Sequence, residues 1–259
     1  MPVTRRDFIK IMTTGATLLS VPPLLAQEPL VPTPRASVKC PILMYHYISS
    51  APEDADYVLR DLTVPPEQFA EQLDYLRDNG FTTITMTQLW AGMEGAPLPE
   101  KPIVLTFDDG YWDAHAHATP LLLERGMVGT FYICSGFMGQ PSYMRWEDAA
   151  QIQGAGMEIG GHSATHANLS VLGRAELEVE IKESTALIEQ TLGLRPVSFC
   201  YPFGYHNTFV TTILREAGYQ TAVTTSDALT HYRNNPYRMG RVRIRNRHTI
   251  ESFAWLVNR

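Results

Sequence analysis

The chain has 259 residues, 44% hydrophobic and 19% charged, enough to bury one large α/β domain and too well mixed for bulk disorder. Its formal charge is 21 − 27 = −6, with no basic block, which argues against a nucleic-acid partner. No stretch beyond the N-terminus reaches the length of apolar residues that a membrane-spanning helix needs.

Residues 4–10 read Thr-Arg-Arg-Asp-Phe-Ile-Lys, and a moderately apolar run follows from Ile11 to Leu25. Paired arginines before an apolar stretch resemble a twin-arginine export signal. Residues 1–26 are therefore expected to be a cleavable address, and the mature protein periplasmic or secreted. Removing Arg5, Arg6, Lys10 and Asp7 takes the charge to −8. Proline-rich residues 27–38 read as a linker and 39–259 as the folded domain.

From residue 41, short apolar runs alternate with helical patterns. The expected strands are 41–45, 82–85, 103–107, 128–133, 157–160, 197–201, 221–224 and 241–244. Between them, residues 66–79 place Phe69, Leu73 and Leu76 on one helical stripe before Gly80. Residues 174–192 do the same with Leu177, Ile181, Ile188 and Leu192, and residues 207–217 end at Gly218. This alternation implies parallel βα units, and seven or eight strands imply closure into a barrel. Cys134 and Cys200 lie in apolar runs and read as small buried hydrophobes. With Cys40 they make three cysteines without a Cys-x-x-Cys pair, so a zinc-thiolate site has no support, and one disulfide in an exported protein is left open.

The polar motifs fall at strand ends. Thr106-Phe107 runs into Asp108-Asp109-Gly110, Ile159-Gly160 into Gly161-His162-Ser163-Ala164-Thr165-His166, Phe199-Cys200 into Tyr201-Pro202-Phe203-Gly204, and Met44-Tyr45 into His46. In a parallel barrel these carboxyl ends converge on one face. Two adjacent carboxylates before a glycine can both reach one cavity, where they repel unless a cation or proton intervenes. On a turn of helix, His162 and His166 would share one side. Two histidines and one carboxylate leave coordination positions open, as a catalytic metal site requires.

These motifs, in this order, resemble the polysaccharide deacetylase family (the NodB-homology domain, carbohydrate esterase family four), from about Pro41 to Phe253. The resemblance implies a distorted (β/α) barrel and a divalent metal on Asp109, His162 and His166, zinc first, with cobalt or nickel also suited. It makes Asp108 the catalytic base, and the Phe203 N–H a donor to the oxyanion. Some motifs depart from the family. Cys200-Tyr201-Pro202-Phe203 stands where Arg-x-Pro-Tyr is usual, so the arginine that orients the base is absent. The Asp-x-x-Asp-Trp motif and the late Leu-x-His with its general acid have no match. Tyr-Pro-Phe-Gly, Tyr45-His46 and Pro66-Glu67-Gln68-Phe69 look like the branch containing poly-N-acetylglucosamine deacetylases. His46, the one other histidine at a strand end, is the expected proton donor or its orienter. The implied reaction is metal-dependent removal of N-acetyl groups from a polysaccharide substrate. An O-acetyl esterase, or a carbohydrate-binding barrel without catalysis, are the alternatives.

Overall fold

The computed structural model describes residues 33–259, which build one parallel α/β domain. The export address lies outside the described residues. Eight strands form the main sheet: β1 Ile42–Tyr45, β2 Thr82–Thr83, β3 Pro102–Phe107, β4 Thr130–Ile133, β5 Glu158–Gly161, β6 Ser198–Cys200, β7 Thr221–Val223 and β8 Val242–Arg243. Seven of them run in the order β7-β6-β5-β4-β3-β1-β8, every pair parallel, and β2 pairs with the start of β3. The sheet curls into the expected distorted barrel. Its two edges do not zip together; a single parallel bridge, Val223 to Met239, spans the gap between β7 and β8. Among the described residues no helix is long and apolar enough to cross a membrane.

All eight expected strands are present, several of them shorter, for local reasons. The run 82–85 stops at Thr83 because Thr85 caps the next helix, Met86–Met93, in a reciprocal capping box with Gln88. The run 197–201 is trimmed between Pro196 and Pro202, neither of which can donate to a ladder. Helix Pro66–Asp78 starts with proline at its first position, and the stretch 174–192 is helical throughout, with a π segment at Glu178–Glu183, ending at Gly193 in a left-handed turn (φ 75°). The last part of the expected linker is built into the domain. Ser37–Lys39 pairs antiparallel with Thr230–Tyr232, and the Arg35 guanidinium donates to the Ala96 carbonyl at 2.7 Å.

Apart from the short β2, the strands are largely buried on both faces, and their side chains alternate between two cores. Leu43, Tyr45, Ile103, Leu105, Phe107, Phe131, Ile159 and Val242 face the outer helices, where Phe69, Leu73 and Phe253 meet them. Ile42, Val104, Tyr132, Cys200 and Val223 face the barrel interior, joined by Met86, Leu89 and Met93. A third cluster packs Phe199, Tyr201 and Ala222 beneath Leu177, Ile181 and Ile213. This alternation aims the site. Tyr45, Phe107 and Phe199 are anchored outward, each burial contributing about 1.5–3 kcal/mol, so His46, Asp108 and Cys200 point inward. Phe107 also stacks between Tyr45 and Phe131 at 5.5 and 4.6 Å, which fixes the register one residue before the first carboxylate.

Candidate active site

Asp108, Asp109, His46, His162, His166 and Phe203 meet at the carboxyl ends of the strands, and the backbone bends hard to bring them there. Five non-glycine residues among those described have φ between 57° and 73°, and four of them, Asp109, Ser163, His166 and Phe203, lie in these motifs. Such conformations cost on the order of 1–3 kcal/mol each and persist where surrounding contacts over-determine them. At Asp109 (φ 73°) and Gly110 (φ 86°) the turn swings the second carboxylate to the same side as the first.

His162 and His166 are not on a helix; the segment is a left-handed turn. The Ser163 hydroxyl accepts from the His166 N–H at 2.9 Å. The buried Glu180 carboxylate accepts from the N–H groups of Ala164 and Thr165 at 3.0 and 2.9 Å and from the Thr165 hydroxyl at 2.6 Å. Sequence spacing alone gave no sign of this brace. The turn folds both imidazoles onto Asp109, whose Oδ1 lies 3.1 Å from His162 Nε2 and 3.4 Å from His166 Nε2. His162 Nδ1 donates to the Cys200 carbonyl at 2.6 Å, which leaves Nε2 to face the carboxylate. Burial opposes charge on His162, yet its hydrogen bonds to the Asp109 carboxylate and the Cys200 carbonyl hold its pKa above the ordinary value. Burial works to raise the pKa of Asp109, but His162 and His46 keep it below the usual range. Three donors therefore converge on one point, and burial beside His162 lowers the His166 pKa, which keeps that imidazole neutral and able to ligate. Their ligand atoms lie within 4.8 Å of one another, and their chemistry fits a divalent ion.

Asp108 is bound differently. It is 3% exposed, and Arg241 grips it with both ends of the guanidinium, Nη1 to Oδ1 and Nη2 to Oδ2, each at 2.7 Å. Arg241 is itself buried and also donates to Thr106 Oγ1, the Thr224 carbonyl and Cys200 Sγ at 2.9, 3.0 and 3.2 Å. Burial would raise the pKa of Asp108, but Arg241 outweighs it and holds the carboxyl far below the usual range. The expectation of a missing arginine is thus corrected. Cys200 fills the usual place, and the guanidinium arrives from the segment before β8. The sequence carries a faint signal of it in Arg241-Val242-Arg243-Ile244-Arg245, a period-two pattern that puts arginines on the inward face of a strand.

His46 is largely buried, with Nε2 3.9 Å from Asp108 Oδ2 and no partner on Nδ1 among the described residues, and desolvation lowers its pKa. Phe203 (φ 60°) sits in the Pro202–Gly204 turn with its ring edge-on to His166 at 4.6 Å. All three cysteines are buried and unpaired, so no disulfide forms; Cys200, rather than a bystander in the core, touches both Arg241 and Asp108. Beside the site lies a cavity of about 580 Å³ lined by Tyr47, Tyr111, Trp112, Asp113 and Tyr143. Tyr111 is sandwiched between Tyr47 (4.1 Å) and Tyr143 (5.0 Å), and the backbone N–H of Trp112 donates to the Ser142 carbonyl at 2.9 Å. Of the aromatics expected to meet sugar, Tyr143 lines this cavity. Phe137 packs on Tyr143, Trp146 packs on the core, and Tyr57 is 73% exposed.

Residues 95–222 match the polysaccharide deacetylase family model. YxkH of Bacillus subtilis, named for the same family, is 30% identical over 207 residues, covering 80% of this chain and 71% of that protein. The chain belongs to the polysaccharide deacetylase family. As a polysaccharide deacetylase it is a hydrolase with a polysaccharide substrate. The crystal structure of BC0361, a polysaccharide deacetylase from Bacillus cereus, superposes with a TM-score of 0.77 at 27% identity, covering 86% of this chain and 70% of that one. A shorter match, 39% identity over 71 residues, links this deacetylase to the poly-β-1,6-N-acetyl-D-glucosamine N-deacetylase of Escherichia coli. It covers 27% of this chain and 11% of that protein, and it supports the branch read from Tyr-Pro-Phe-Gly.

Proposed function

We propose that the chain hydrolyses N-acetyl groups of a GlcNAc-containing polysaccharide, releasing acetate and leaving free amino sugars. The observation that carries the reading is the side-by-side placement of two unlike carboxylates. Asp109 faces two imidazoles, and Asp108 faces a guanidinium. Asp109, His162 and His166 would hold the metal, most simply zinc, which suits this donor set. A divalent ion bound there supplies Lewis acidity, polarising the acetyl carbonyl and making a water easier to deprotonate.

The chain's own groups do the rest. Asp108 accepts the water's proton, and Arg241 keeps its carboxylate ionised and fixed in direction. The Phe203 N–H is the proposed donor to the oxyanion, and its left-handed conformation in the Pro202–Gly204 turn holds the backbone there in one fixed orientation. His46, neutral because burial lowers its pKa, stands 3.9 Å from Asp108, and one bridging water would link the two for passing a proton on toward the leaving amine. In the aromatic cavity beside the site, the half-exposed Trp112 offers a ring on which a neighbouring sugar of a polymer can stack. The Arg5-Arg6 segment supports export by the twin-arginine route, which would bring the enzyme to an extracytoplasmic glycan.

The test is acetate release from poly-N-acetylglucosamine, with O-acetylated xylan as the comparison. Release from the amide polymer supports the reading. Release from the ester alone makes the enzyme an O-acetyl esterase, and release from neither, with the domain folded, overturns catalysis.

A further inference from the structure

We propose that a cationic slot beside the site binds an anionic group, a carboxylate or a phosphate, carried by a sugar next to the one deacetylated. This rests on the deacetylase reading and narrows its substrate to acidic glycans.

The slot begins with the alternation of the last strand. Val242 and Ile244 are buried in the outer core, so Arg241 and Arg243 point to the opposite face. Arg241 is fully used by Asp108, Thr106 and Thr224. Arg243 is half-buried and, among the described residues, has no hydrogen bond and no ion pair. Its neighbours offer it none. Arg245 and Arg247 share the Asp61 carboxylate, and Arg259 holds Asp227. Arg243, Arg245 and Arg259 line a cavity of about 420 Å³ together with Thr225, Asp227 and His248, and the Asp61–Arg247 pair adjoins it through Arg245.

Charge in that cavity does not balance. Each carboxylate in or next to it is already committed to another arginine, so Arg243 is in excess. A half-buried cation beside other cations is unfavourable unless an anion joins it. Among the described residues no carboxylate pairs with Arg243, although the chain as a whole carries −6. The local excess of positive charge therefore opposes the global sign. The available donors suit a planar or tetrahedral oxyanion. A guanidinium presents a fork that matches two oxygens at once. His248 Nδ1 accepts from the Arg245 N–H at 3.2 Å, so its Nε2 carries the proton and is a second donor. A neutral GlcNAc polymer would need neither group.

Position ties the slot to catalysis. Arg241 lines it and reaches Asp108 with its guanidinium, so slot and base are one arginine side chain apart. That is about the span of one sugar residue. A polymer with its acetyl group at Asp108 would bring the adjacent sugar to Arg243.

The experiment uses the full mature chain and two GlcNAc oligosaccharides, one with a glucuronate next to the target sugar and one neutral, with binding by calorimetry alongside acetate release. A charge-assisted contact predicts a preference for the acidic oligosaccharide of about 10- to 100-fold in Kd and KM, falling as salt rises. Arg243→Gln should collapse that preference toward one, and Arg243→Lys should restore part of it, at unchanged melting temperature. Equal affinity of the wild type for both oligosaccharides, or a preference kept in Arg243→Gln, overturns the proposal. Inorganic phosphate binding as tightly as the acidic oligosaccharide would make the slot a site for a free anion and overturn the substrate assignment. Because binding is read separately, loss of deacetylation on both oligosaccharides would count against the catalytic reading alone.

Discussion

Arg241→Met removes the guanidinium that neutralises Asp108 while keeping most of the side chain's volume. In the wild type, Asp108 is 3% exposed and its two oxygens each accept a 2.7 Å bond from Arg241. Truncating one partner of a buried pair leaves an uncompensated charge and costs about 3–5 kcal/mol. For a domain of this size, about 1 kcal/mol corresponds to roughly 2–4 °C, so melting should fall by about 6–20 °C near pH 7. The pH dependence has a definite sign. In the wild type the carboxyl's folded pKa is depressed, so its stabilisation is complete above the unfolded pKa of about 3.9 and is lost only as pH falls through the folded value. In the variant, burial without Arg241 pushes the folded pKa above that unfolded value. The neutral carboxyl then stabilises most below about pH 3.9, and this is lost as pH rises through the folded pKa. The gap in melting temperature should therefore narrow as the pH drops from 7 toward 4. Scanning calorimetry at several pH values reads this directly, and the acid limb of the pH–rate profile should move to higher pH in parallel. A melting temperature within 2 °C of wild type at pH 7, with an unmoved acid limb, would refute the clamp.

Three other outcomes follow from the same geometry. Asp108→Asn should lower the rate by about 10² to 10⁴, roughly 3–5 kcal/mol in the barrier, with bound metal unchanged by elemental analysis; a rate within threefold of wild type would remove Asp108 as the base. His46→Ala should reshape the pH–rate profile near neutrality, and a profile and rate equal to wild type would assign the proton donor elsewhere. Arg5→Lys/Arg6→Lys should strand the precursor in the cytoplasm on fractionation, and an unchanged exported yield would point to another route.

The sequence was most informative where local chemistry acts alone. Apolar runs ending in Asp108-Asp109-Gly110 or His162 mark strand ends because strand burial and turn formation are both local, and parallel topology then forces those ends together. It was least informative where a contact joins distant segments. Arg241 is 133 residues from Asp108 in sequence, and only barrel curvature brings it to the position that Cys200 occupies in the motif. The spacing of His162 and His166 is equally compatible with a helix. The left-handed Ser163 and His166 and the Glu180 brace decide against one, and none of these has a signature readable from spacing. Thr85 shows the opposite error, a strand-like residue claimed by the helix it caps.

Deacetylation is proposed to depend on an ion held by Asp109, His162 and His166. The most direct test is acetate release from poly-N-acetylglucosamine by the wild type, the chelated wild type, and His162→Ala/His166→Ala, with metal content measured on the same samples. The wild type should carry about one divalent ion per chain at ligand distances of about 2.0–2.2 Å, and the other two samples should lose both ion and activity. Full metal content and activity in the double variant would contradict this dependence.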